Sequence, residues 1–183
     1  MNQPLRPWTL IAASRPRMPA YFFDSSAIVK RYYREAGTAW IQAICEPRDH
    51  PPLYLSQLAH VEVIAALRRV GRAQQLHPSF VDAMTRGFER HIALSDPARA
   101  TPLYRLIPLS SSILALAAEL CDQHWQAQPS PLRSLDAIQL ACALAAAADS
   151  VEELLFVTAD VRLAAIAPLE GFRVINPTFP PQP

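Results

Sequence analysis

Four acidic residues could do chemistry together: Asp24, Glu62, Asp136 and Asp160. Asp24 ends the apolar burst Tyr21-Phe22-Phe23, and Asp160 follows Phe156-Val157 through Thr158 and Ala159. An aspartate between a strand and a helix is most often a cap, and that is the ordinary reading of both. After Asp24, however, Ser25 and Ser26 could cap equally well. Glu62 is more informative. Its helical neighbours three and four positions away are Leu58, Ala59, Ala65 and Ala66, so no ion-pair partner lies on its own helix. It is either an exposed acid on an outer face or an acid set into an apolar stripe, which is costly unless a cation compensates it. Asp136 opens a helix that is apolar almost all round, the pattern of a buried central helix. There it either favours the helix dipole or joins Asp24 at a sheet edge.

Carboxylates that converge repel one another unless a cation neutralises them. Oxygen-only ligands select hard ions, Mg²⁺ or Mn²⁺. Such an ion activates water and offsets charge on a phosphodiester. If the four acids converge, the metal-free fold carries repulsion. Neutralising Asp136 or Asp160 is then expected to raise the melting temperature in chelator.

The elements that must position these acids follow from apolar patterning and punctuation. Short strands are predicted at Tyr21–Phe23, Leu53–Leu55, Tyr104–Ile107, Leu154–Val157 and Phe172–Ile175. Helices are predicted from Ser25 to about Glu35, over Thr38–Cys45, from a Ser56 cap to Gly71, and from Pro78 to about Leu94. Three more run from Ser110–Ser112 through Trp125, from Ser134 to Ala148, and from Asp160 to near Pro168. Strands alternating with helices argue for an α/β fold with a mostly parallel sheet. In such sheets ligands sit beyond the carboxyl ends of the strands, where Asp24 and Asp160 fall. Residues 1–17 read as an N-terminal extension, 18–176 as one domain and 177–183 as a tail.

Composition removes several classes. The 183 residues are 51% hydrophobic with a net charge of +1, so a full core is available and bulk positive charge cannot hold nucleic acid. Only four glycines are present and no phosphate-cradling glycine motif can be written, which excludes dinucleotide and P-loop mechanisms. Cys45, Cys121 and Cys142 form no C-x-x-C pair and read as reduced thiols of a cytoplasmic protein. No apolar run reaches membrane-spanning length. A haloacid-dehalogenase-type phosphatase is disfavoured, because Asp24-Ser25-Ser26 lacks an aspartate two positions on.

Taken in order, Tyr21-Phe22-Phe23-Asp24-Ser25-Ser26-Ala27, Leu58-Ala59-His60-Val61-Glu62-Val63, Leu135-Asp136-Ala137-Ile138-Gln139-Leu140-Ala141 and Phe156-Val157-Thr158-Ala159-Asp160 resemble PIN domains. The nearest resemblance is to VapC-type ribonuclease toxins of bacterial toxin–antitoxin pairs, over about Met18 to Ile175. It implies a three-layer α/β/α sandwich and Mg²⁺- or Mn²⁺-dependent endonucleolytic cleavage of RNA. Carried over, it puts Asp24, Glu62, Asp136 and Asp160 at the catalytic metal site. Asp24 and Asp136 would bind metal directly, and Glu62 and Asp160 through water or a second ion. Ser25 or Ser26, Ser56 and Thr158 fall near supporting polar positions. Gln139 departs from the family pattern, where histidine is frequent.

The resemblance also implies a cognate antitoxin and a homodimer, with the early helical pairs as the antitoxin groove. On the residues alone, Arg133 and Arg162, beside the acids, are candidate RNA contacts, as is Lys30, the only lysine. The stripe Phe80, Met84, Phe88 and Ile92 either packs on the core or covers a partner. The competing functions are a nuclease of the same fold acting on DNA or in RNA processing, and an inactive PIN-like binding module.

Overall fold

The computed structural model describes residues 18–46, 50–93, 102–128 and 130–181. The predicted extension, 1–17, lies outside them. Among the described residues, β1 (Ala20–Phe23), β2 (Leu53–Ser56), β3 (Arg105–Ile107), β4 (Leu154–Val157) and β5 (Arg173–Ile175) form one sheet. Its order is β3-β2-β1-β4-β5, and every pairing is parallel. Parallel neighbours require crossovers, and seven α-helices supply the chain between them. They are α1 (Ser25–Ile28), α2 (Thr38–Cys45), α3 (Ala59–Ala73), α4 (Pro78–Ile92), α5 (Ser111–Gln123), α6 (Ser134–Asp149) and α7 (Val161–Ile166).

Because side chains alternate along a strand, adjacent strand residues feed opposite layers. Phe22 and Phe156 pack with α5, α6 and α7, whereas Phe23, Leu155 and Val157 pack with α1 to α4. All four residues of β4 are buried, as expected for a strand covered on both faces. The result is the expected α/β/α sandwich. Among the described residues no helix is long and apolar enough to cross a membrane.

Two of the element boundaries that differ from the sequence reading bear on the site. The first helix stops at Ile28 and tightens into one 3₁₀ turn, Val29–Arg31, instead of reaching Glu35. Thr38 explains this. Its hydroxyl donates to the Lys30 carbonyl at 2.7 Å and accepts from the Glu35 amide at 2.9 Å, giving both groups a non-helical partner. Gly37, just before Thr38, has φ of +97°, and a Cβ there would lie 2.6 Å from the Pro177 carbonyl oxygen. Only glycine satisfies both conditions.

The second difference is at Ser56, which ends β2 instead of capping α3. Its hydroxyl accepts from the Leu58 amide at 3.1 Å, a local turn that delays the helix to Ala59.

The chain runs from β1 outward through β2 to β3, then returns to lay β4 on the other side of β1. This reversal opens a crevice between the carboxyl ends of β1 and β4. The two ends are level: Phe23 pairs with Val157, and the Asp24 amide donates to the Val157 carbonyl at 3.0 Å.

Candidate active site

Asp24 leaves β1 at this crevice and is 5% exposed. Its side chain caps α1, accepting from the Ala27 amide at 2.9 Å. The cap and the candidate site are therefore the same carboxylate. Ser26 donates to it at 2.8 Å, and Thr158, just past β4, donates at 3.0 Å. Ser26 also accepts from the Ala159 amide at 2.9 Å, which stitches the two strand ends together. Among the described residues, no cation pairs with Asp24. Burial pushes its carboxyl up to about 7, against the pull of the Ser26, Ala27 and Thr158 hydrogen bonds, and the nearby Asp160 charge adds to the rise.

Glu62 comes from the first turn of α3. It finds no partner on its own helix, as its neighbours dictate, and is met from two others. Ser25 of α1 donates to Oε2 at 2.6 Å, and Gln139 of α6 donates to the same oxygen at 2.5 Å.

Asp136 and Asp160 are held differently. The Arg133 guanidinium donates to Asp136 through Nε at 2.8 Å and to Asp160 through NH2 at 2.9 Å. The two carboxylates in turn hold the Arg133 pKa above its ordinary value. Asp160 also caps α7 through the Arg162 amide at 2.8 Å. All four acids line one cleft of about 410 Å³.

A family model described as PIN domain matches residues 21–169. This chain belongs to the PIN domain family. It is 31% identical over 128 residues to Ribonuclease VapC45 of Mycobacterium tuberculosis (strain CDC 1551 / Oshkosh), covering 70% of this chain and 77% of that protein. The same figures hold for Ribonuclease VapC49 of Mycobacterium tuberculosis (strain ATCC 25618 / H37Rv). Among solved structures it resembles DNA-bound VapBC from Salmonella typhimurium, with a TM-score of 0.53, 13% identity, and coverage of 86% of this chain and 97% of that one. VapBC-1 from nontypeable Haemophilus influenzae gives 0.51, 13%, 87% and 99%. At that identity the likeness shows the fold.

In this PIN domain two expected site residues, Lys30 and Ser56, are buried and make their bonds apart from the four acids. Lys30 is buried, and its ammonium pairs with Glu35 at 3.2 Å, so it offers no open cation to RNA. The early end of the first helix turns it inward. Ser56 is fully buried and accepts from the Cys142 thiol at 3.3 Å. Arg162 meets Asp160 through its backbone amide.

Two polar residues belong to the cleft that the sequence reading gave no role there. Arg69 lines it, seven positions after Glu62 on the same helix face. That spacing was the available signal. Gln139 lines it three positions after Asp136, one turn along α6.

The donor set can be tested against a hard cation. All four acids are carboxylates, and the groups beside them are hydroxyls and an amide, which suits Mg²⁺ or Mn²⁺. A guanidinium already lies between two of them as a stand-in cation. Among the described residues, as the side chains stand, no three His, Cys, Asp or Glu group closely enough to hold a metal ion. The acids therefore suit a divalent ion chemically, with Arg133 in the way of the outer pair.

Proposed function

We propose that this PIN domain is an endoribonuclease toxin that uses Mg²⁺ or Mn²⁺ and is restrained by a cognate antitoxin. One observation carries the reading: four carboxylates, from the caps of α1 and α7 and the first turns of α3 and α6, line a single cleft at the switch point of a parallel sheet. Two mycobacterial relatives named ribonucleases support the reaction class, and two VapBC structures of the same fold support the partner.

Asp24 and Asp136 would hold the ion directly, with Glu62 and Asp160 acting through water or on a second ion. A bound ion of this kind lowers the pKa of water and offsets charge on a phosphodiester. The remaining work belongs to the chain. Ser26 and Thr158 orient both oxygens of Asp24. Arg69 and Arg133 present guanidinium groups at the cleft, suited to paired phosphate contacts, and Arg133 must leave its acids to make them. The rim is apolar: Val61 and Leu135 are 69% and 50% exposed, a surface suited to a protein partner. Phe80, also exposed while Met84 and Phe88 of its stripe are buried, extends the available surface for a homodimer.

The test is purification with and without the neighbouring gene product, followed by RNA cleavage with and without Mg²⁺. Metal-dependent cleavage that the partner suppresses is expected. Cleavage unaffected by chelator, or retained in purified Asp24→Asn, would sink the proposal.

A further inference from the structure

We infer that Gln139 is a positioning residue: with Ser25 it clamps one oxygen of Glu62 and leaves the other for the cleft. This rests on the proposed nuclease reading only for its catalytic consequence.

The donor arithmetic fixes the arrangement. The Ser25 hydroxyl has one hydrogen and donates it to Glu62 Oε2 at 2.6 Å. Ser25 Oγ can then only accept from Gln139 Nε2, at 2.9 Å. The same amide nitrogen donates to Glu62 Oε2 at 2.5 Å. Turning the amide over would set its carbonyl oxygen against a carboxylate oxygen and against a hydroxyl whose hydrogen is already given away. The network therefore admits one orientation. In it, Oε2 takes two donors, and Oε1 takes none among the described residues.

The arrangement has a cost that packing does not explain. Gln139 is 2% exposed, and its carbonyl oxygen is buried with no donor among the described residues. Natural interiors rarely leave such an acceptor unmet. An apolar side chain of similar volume at position 139 would carry no such unmet acceptor. What requires an amide is the carboxylate opposite. The clamp also spans the sheet edge, because Ser25 and Glu62 come from the α1–α4 layer and Gln139 from the α5–α7 layer. It fixes a flexible side chain on one helix against two others, as a supporting shell does for a precise site.

Gln139→Met removes both donors and the unmet acceptor at similar volume. In chelator it is expected to melt at or above the wild-type temperature. Its Mg²⁺ affinity, from the metal-dependent shift in melting, should fall by roughly 10–100-fold, the usual effect of removing such a support. The rate constant for RNA cleavage at saturating substrate should fall with it while KM for RNA stays near wild type. A Gln139→Met protein that melts much lower but keeps metal affinity and turnover would show a packing role and overturn the clamp. So would one unchanged in all three.

The clamp is also read without metal or RNA. The side-chain amide signal of Gln139, assigned by its loss in Gln139→Met, should shift strongly in Ser25→Ala and Glu62→Gln. If it does not move, the clamp is absent. If it moves but the wild type neither binds metal nor cleaves RNA, the clamp stands and the nuclease reading falls. Should Gln139→Met not fold, Ser25→Ala and the amide signal decide.

Discussion

The cleft has two halves that solve the same problem differently. Asp24 and Glu62, the inner pair, are held by neutral groups: two hydroxyls and a backbone amide for one, a hydroxyl and a side-chain amide for the other. Asp136 and Asp160, the outer pair, share the charged guanidinium of Arg133. Neutral donors fix geometry without cancelling charge, so Asp24 remains a buried acid with its pKa pushed up to about 7. A guanidinium cancels charge but occupies the space between the two carboxylates. The inner half therefore gains most from an added cation, and the outer half must exchange one cation for another.

The largest test removes an inner ligand. Asp24→Asn keeps the cap on α1, because an amide oxygen still accepts from Ala27, but it loses the charge. RNA cleavage should drop by roughly 10²–10³-fold, the scale for losing one preorganised electrostatic group. Asp136→Asn should do the same from the outer half. If Asp24→Asn cleaves normally while Asp136→Asn does not, chemistry belongs to the outer pair alone.

Stability against pH separates the halves next. The folded-state pKa of Asp24 lies above its unfolded value of 3.8. The folded state therefore holds this proton more tightly, and the metal-free protein loses stability as pH rises between about 4 and 7. The penalty is absent below that window and complete above it. A shift of this size corresponds to at most about 4 kcal/mol. In chelator, Asp24→Asn should match wild type near pH 4 and melt several degrees higher at pH 8. Millimolar Mg²⁺ should reverse the order, because it stabilises the native state that binds it. A difference in melting temperature that does not change between pH 4 and pH 8 would remove the strain assigned to Asp24.

The outer pair should behave in the opposite way. The sequence leads to the expectation that neutralising Asp136 or Asp160 relieves repulsion. Arg133 changes that, because each substitution now breaks an ion pair instead. Asp136→Asn in chelator should melt slightly lower than wild type, by about 0.5–1 kcal/mol, since the guanidinium is half exposed and screened. A clear rise would mean that Arg133 does not hold the pair in solution.

How much of this was legible follows from what each signal encodes. Periodicity and punctuation placed all five strands, and α2 to the residue, because apolar runs and glycine or proline stops are local properties. Strand ends and acids set into apolar helices pointed to the four acids that line the cleft, and the family resemblance supplied their expected roles. What stayed hidden depended on contacts across the sheet. Thr38 ends the first helix by bonding a carbonyl eight residues back, and that in turn buries Lys30. Gln139 was visible only as a departure from a pattern, since its partners are 114 and 77 residues away. The sequence reading took Arg133, beside Asp136, as an RNA contact; its bonds to Asp136 and Asp160 join two separate segments and were not foreseen.

The smallest effect concerns that second bond. Lysine at position 133 keeps the positive charge but, as a single ammonium on a flexible stem, cannot reproduce the planar fork that spans Asp136 and Asp160. If charge alone sets the cleft's appetite for metal, Arg133→Lys and wild type should bind Mg²⁺ equally, and Arg133→Gln should bind it more tightly. If the fork itself blocks the outer pair, Arg133→Lys should also bind more tightly, by roughly three- to ten-fold, close to what one screened ion pair is worth. Both variants should need more RNA to saturate, because a paired phosphate contact is lost. Mg²⁺ titrations of the three proteins, read by melting temperature without RNA, distinguish the two accounts. Equal affinity in Arg133→Lys and wild type would reduce the difference between the halves to net charge. Tighter binding would show that the outer acids are held closed by shape as well, and that metal entry requires the guanidinium to swing away.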